Sequence, residues 1–238
     1  MEDMELRIAM LAAAEQQLVG SANLDIATRA VCEAVGVTQP VLYRLFGDKQ
    51  GLLDALADAG LERYARRKGG LEKTADPVLD LRAGWDDHMA FAGEHPALYQ
   101  LMFSPRPWSR STARIRVRGL LQETLERCAA AGALAVDPRS AAAMILSANV
   151  GLALNRVAEP SSFSDADLSH RLRDSVFAAV LVQSSVSGSA GTGILASVVR
   201  LRAQLARPGT EVLEPAELAL LDRWLERLVE GLMQKPPQ

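Results

Sequence analysis

Cysteine is scarce, since the 238 residues include only Cys32 and Cys128. They lie far apart in helical-looking contexts without ligand spacing, so they read as small buried side chains and not as a disulfide or a metal pair. Aromatic residues make up 5% of the chain while Ala, Leu, Arg and Glu abound, a balance that favours helices over strands. No segment alternates apolar and polar residues long enough to predict a strand. Positive charge is not in excess: the formal net charge is −3, which leaves only a local patch for any nucleic acid. Long apolar runs are also missing. The most apolar stretch, Ala141 to Leu154, includes Ser147 and Asn149 and is too short to span a bilayer. The opening MEDMELR is acidic and unlike a secretory signal, so a soluble, cytoplasmic protein is expected.

What is present is helical punctuation. Asp76-Pro77 and Asp137-Pro138 each put a capping carboxylate before a proline at a first helical position, and Glu214-Pro215 is a weaker version. Ser164 with Asp167 resembles a capping box, and Gly132 suits a helix end. Apolar residues recur at helical spacing, as in Ile8, Leu11 and Leu18, in Val78, Trp85, Met89 and Ala92, and in Met144, Ile145, Ala148 and Leu152. These signals predict an all-α fold of about ten helices, near 3–18, 28–35, 39–46, 49–67, 77–94, 109–131, 138–157, 165–183, 194–206 and 215–232, with a short one near 97–103. The Gly-rich stretch 184–195 lacks the GxGxxG and P-loop patterns and reads as a connector.

The break at Pro40 carries the functional signal. Thr28, Val31, Cys32 and Val35 keep helical spacing up to Gly36, which suits a left-handed helix end. Thr38 can cap a second helix with Gln39 and Pro40 in its first turn, after which Val41, Leu42, Leu45 and Phe46 continue the periodicity. Two short helices joined by a tight turn form a helix-turn-helix, whose second helix enters a major groove. Its outer side offers Thr38, Gln39, Pro40, Val41, Tyr43 and Arg44. Arginine pairs with guanine, glutamine with adenine, and an apolar group meets the thymine methyl. Tyr43 and Lys49 suit phosphates.

The stretch GVTQPVLYRLFGDKQGLLDAL resembles the helix-turn-helix of the tetracycline-repressor (TetR) type regulators in its Gly-Val, its Leu42-Tyr43-x-x-Phe46 and its Lys49-x-x-Leu52-Leu53. The resemblance spans about residues 4–64, with the helix-turn-helix at about 27–46. It implies a three-helix DNA-binding domain with Thr38, Gln39, Tyr43 and Arg44 on the recognition helix and Lys49 starting the helix that meets the backbone. Ala27 stands where the family usually has a capping, phosphate-touching Thr, a role left to Asp25 or Thr28, and Pro40-Val41 replaces a frequent Gly-Thr.

Trp85 to Phe103 resembles the effector-binding region of one branch of that family, within a larger helical domain at 75–235. Trp85, Met89, His95, Tyr99, Met102, Phe103 and Trp108, together with Asn149, form the expected small-molecule site. The acid–base alternative is an all-α enzyme using Asp86, Asp87, His88, Glu94 and His95. Its two histidines lack the HExxH spacing, and Pro96 interrupts the helix, so no metal, cofactor or catalytic residue is assigned. The arginines from Arg106 to Arg118 read as a solvated helix face. Leucine seams at 218, 221, 225, 228 and 232, and at Ile194, Val198, Leu201 and Leu205, predict helix pairing, with a homodimer through helices near 165–183 and 215–232. The expected function is a dimeric, ligand-responsive transcription regulator, a repressor on a palindromic operator. A ligand-independent DNA-binding dimer is the alternative.

Overall fold

The computed structural model describes residues 2–21, 25–104, 112–182, 190–205 and 213–233. Eleven helices occur among them: α1 (Glu2–Val19), α2 (Thr28–Val35), α3 (Gln39–Phe46), α4 (Lys49–Gly69), α5 (Pro77–Glu94), α6 (Pro96–Phe103), α7 (Thr112–Ala130), α8 (Pro138–Ala158), α9 (Leu168–Val180), α10 (Ala190–Leu205) and α11 (Pro215–Met233). No strand occurs among the described residues. A single antiparallel bridge joins Leu134 to Leu181. The fold is all-α.

Helix starts follow the chain's punctuation where a free N–H faces the capping oxygen. Asp76 Oδ1 accepts from the Val78 and Leu79 amides at 2.9 and 3.2 Å, and Asp137 Oδ1 from those of Arg139 and Ser140 at 3.0 and 3.1 Å. Two expected caps are not formed. The Thr38 hydroxyl makes no capping bond, because Pro40 has no N–H to offer and the Val41 amide donates to the Thr38 carbonyl instead. Asp165 accepts the Asp167 amide at 2.9 Å, closing a local turn in place of the Ser164–Asp167 box, and α9 starts only at Leu168.

The chain forms two compact units, Met1–Leu71 with Asp87–Arg118 and Leu152–Ser164, and Glu72–Asp86 with Gly119–Gly151 and Asp165–Gln238. In the first, α1 to α4 and α6 share one core that includes Met10, Leu18, Val31, Leu42, Leu52 and Leu61. Burying each such side chain contributes about 1.5–3 kcal/mol, which short helices such as α2 and α3 require. The inner face of α1 is turned from the expected one. Met10, Ala13, Ala14 and Leu18 point inward, whereas Ile8 is 61% exposed.

In the second unit Trp85 donates to Ser169 Oγ at 3.0 Å and meets Phe177 edge-on. Cys128 is free and buried, and burial pushes its thiol up to about 12; Cys32, in the first unit, is likewise free and buried. The leucine seam of α11 divides. Leu225 and Val229 are buried, while Leu220, Trp224 and Leu228 form an exposed stripe at i, i+4, i+8 spacing. On α10, Val198 and Val199 are buried and Leu201 is 41% exposed. Helix α8 has 21 residues and is, among the described helices, the one long and apolar enough in composition to cross a membrane. The 14-residue run within it understates its length. Ala141, Ala142, Ile145, Asn149, Leu152 and Ala153 on it are buried in the protein.

Candidate DNA-binding face and ligand region

Helix α3 is a rod of eight residues held by its back. Leu42 and Phe46 are buried in the core of the first unit. Gly36 ends α2 at φ 74°, a left-handed conformation in which its N–H reaches the Glu33 carbonyl, and this sets the turn before α3. Asp48 then starts α4 by accepting the Gly51 amide at 2.7 Å.

The outward side of α3 carries Gln39, Pro40, Tyr43 and Arg44, all exposed, with Thr38 beside them and Val41 half-buried. Thr28 is half-buried, and its hydroxyl accepts from the Gln39 side chain, Nε2, at 3.4 Å. Neither Thr28 nor Asp25 caps α2. The N-cap is Ala27, whose N–H donates to Gln17 Oε1 at 3.1 Å, so α1 supplies the acceptor instead. The two leading cations of this face already have partners. Arg44 binds both carboxylate oxygens of Asp3 at 2.8 Å, and Lys49 is paired with Asp25.

The expected ligand residues fall into two groups. In the first unit His88, absent from the expected set, is the centre. Its Nδ1 lies 2.5 Å from the Tyr64 hydroxyl and its Nε2 2.6 Å from that of Tyr99. Phe103 stacks on Tyr99 at 4.5 Å, Met102 is buried, Met89 is half-buried, and half-buried His95 lies against Phe91 at 4.9 Å. Burial and the nearby Lys68 charge lower His88 to about 3, so the imidazole is neutral. Burial also raises the phenols of Tyr64 and Tyr99 well above their usual range. No cue within one helix turn links Tyr64 to His88, because their contact joins different helices.

The second group, Trp85 and Asn149, lies in the second unit. Asn149 Nδ2 reaches the Trp85 carbonyl at 3.5 Å, and its buried Oδ1 has no hydrogen-bond partner. Trp108 lies outside the described residues. A groove of about 1020 Å³, lined in part by Glu126, Val199, Leu218, Glu226 and Glu230, takes in none of the expected ligand residues.

The carboxylates of the acid–base grouping are engaged in ion pairs. Asp86 binds Arg173 at 2.9 Å, Asp87 binds Arg67 at 2.5 Å and Lys68 at 2.8 Å, and Glu94 is paired with Arg67. Although burial pushes the Asp87 carboxyl up, Lys68 and Arg67 outweigh it and hold it below the usual range. Among the described residues no group of three His, Cys, Asp or Glu side chains is arranged to hold a metal.

Two family descriptions match the chain. Residues 11–56, which include all of α2 and α3, match the bacterial regulatory proteins of the tetR family, and residues 81–183 match the tetracyclin repressor-like C-terminal domain. The chain belongs to the TetR family. It is thus a DNA-binding transcription regulator in the sense common to that family. No curated protein matches the sequence. Among solved structures, a tetR family transcription regulator from Shewanella sp. PV-4 is 19% identical with a TM-score of 0.58, covering 75% of this chain and 99% of that one. NalD, described as the secondary repressor of the MexAB-OprM multidrug efflux pump in Pseudomonas aeruginosa, is 18% identical with a TM-score of 0.52, covering 75% and 98%. A TetR variant from Acinetobacter baumannii AYE, solved in complex with minocycline, is 26% identical with a TM-score of 0.53, covering 71% and 93%. The TetR C-terminal match ends at residue 183, so α10 and α11 of this regulator lie beyond it.

Proposed function

We propose that this TetR-family regulator binds a palindromic operator as a homodimer and represses transcription until a small molecule releases it. The observation that carries the reading is the outer side of α3. Gln39, Tyr43 and Arg44 are exposed on one short helix whose opposite side, Leu42 and Phe46, is buried. Such a rod fits a major groove, with arginine and glutamine on base edges.

One such head reads one half-site, so two copies are needed to reach half-sites about 34 Å apart. Exposed Met144 on α8 and the Leu220–Trp224–Leu228 stripe on α11 support a dimer through the C-terminal helices, since large apolar patches rarely stay in water. For the effector, the orphaned Asn149 Oδ1 beside Trp85 supports a ligand that donates a hydrogen bond among apolar walls. The minocycline-bound relative supports an effector of small-molecule size.

The test is selection of duplexes from random DNA by the full chain, followed by mobility shift with the enriched site and with Arg44→Ala. A palindrome bound at two molecules per duplex, and weakened by about 1–3 kcal/mol in the variant, is the expected result. Enrichment of no sequence would reject the reading. Release of that duplex by a compound screened against it tests the effector half.

A further inference from the structure

The head formed by α1 to α4 uses its own carboxylates on the groups that face DNA. Asp3 meets Arg44 fork to fork, both oxygens at 2.8 Å from the two terminal nitrogens. The pairing is built in by α1. One turn further along, Arg7 donates to the Leu45 carbonyl at 3.0 Å and lies over the Phe46 ring at 4.5 Å, which fixes the start of α1 against the end of α3. Asp25 is fixed as well, its amide donating to Ser21 Oγ at 3.0 Å while its carboxylate holds Lys49. The hydrogen bonds from Arg44 and Lys49 hold both carboxyls below their ordinary range, so both are ionised at neutral pH.

We propose that Asp3 is a specificity-determining residue of the DNA-reading head: it occupies Arg44 and holds down binding to DNA that offers only phosphates, while Asp25 occupies Lys49 and lowers the phosphate-borne affinity for every duplex alike. The proposal rests on the DNA-binding reading above. Nonspecific affinity comes almost wholly from cations on phosphates. A phosphate offers Arg44 little that the Asp3 carboxylate does not already supply, so that exchange is nearly neutral. At a matching site the guanine edge replaces the carboxylate while Gln39 and Tyr43 make their own contacts, so the exchange has a surplus. Both ion pairs are exposed, which keeps each weak enough for DNA to displace.

The experiment titrates wild type, Asp3→Asn, Asp25→Asn and the double variant with a random duplex and with the selected operator, from about 50 to 200 mM KCl. The double variant is expected to hold random duplex roughly tenfold tighter at the lowest salt, with a log–log salt slope steeper by about 1–2. Operator binding tightens less, so the specificity ratio falls. In an Arg44→Gln background the gain from Asp3→Asn disappears if Asp3 acts through Arg44. Unchanged random-duplex binding, a preserved ratio, or a gain that persists without Arg44 overturns the proposal even while the operator is bound. Failure of wild type and every variant to hold any duplex overturns the DNA-binding reading itself.

Discussion

The hydroxyl of Tyr64 on α4 and Nδ1 of His88 on α5 lie 2.5 Å apart in a buried setting. With Tyr99 on the far side of the ring at 2.6 Å, one imidazole ties three helices of the first unit together. A neutral imidazole has one donor and one acceptor, so one tyrosine donates to it and the other accepts from it. Protonation would place a charge in this core with Lys68 close by, which is why the basicity of the ring is so low.

This sets a pH dependence. His88 is neutral in the folded protein down to about pH 3, whereas the unfolded chain takes up its proton near pH 6.5. Stability is therefore fully present above pH 6.5 and falls as the pH drops toward 3, by at most about 1.4 kcal/mol per unit. Between pH 6.5 and 5, before most carboxylates titrate, thermal melts of wild type should fall clearly. His88→Gln should be less stable at pH 7 but flatter over that interval. Parallel pH profiles for the two proteins would refute this assignment.

A second expectation concerns the start of α4. A Cβ on Gly51 would stand 1.9 Å from the Phe46 carbonyl oxygen, a backbone atom that cannot swing aside. Gly51→Ala should therefore lose about 2 kcal/mol or more in denaturant unfolding, although alanine in a helix ordinarily gains about 1 kcal/mol. A stability equal to wild type would show that α3 and α4 can separate freely at this point.

A third expectation separates the two faces of α11. Trp224→Glu with Leu228→Glu changes exposed positions and should leave helicity intact while sedimentation velocity shows a monomer. Leu225→Asp puts an unpaired charge in a buried seam and should instead lower helicity and the melting temperature. If the double glutamate variant sediments like wild type, the stripe is not a subunit contact.

The helices were legible because their ends are written locally. Gly36, Pro40, Asp76-Pro77 and Asp137-Pro138 act within one turn, and the observed starts at 39, 77 and 138 agree with them. Which face turns inward was less legible. In α1 the small residues Ala13 and Ala14 carry little hydrophobic signal, yet they lie on the inner face where a larger Ile8 does not. In α11 leucines occupy two faces, so a spacing of three and four marks neither face alone. The exposed side of α3 followed from its short span and its inward Leu42 and Phe46. The Tyr64–His88–Tyr99 tie and the Asp3–Arg44 pair did not follow, because both join residues far apart in the chain, where spacing carries no information.

The boundaries of α3 have a use in protein engineering. The helix is eight residues long, preceded by the turn that Gly36 makes at φ 74° where α2 ends, and closed by Gly47 at φ 80°. Its inward anchors, Leu42 and Phe46, are separate from the outward Gln39, Tyr43 and Arg44. The outward positions can thus be randomised as a replaceable cartridge while the anchors and both glycines stay fixed. Asp3 would then be a co-varied position, because any new side chain at 44 inherits its carboxylate as a neighbour.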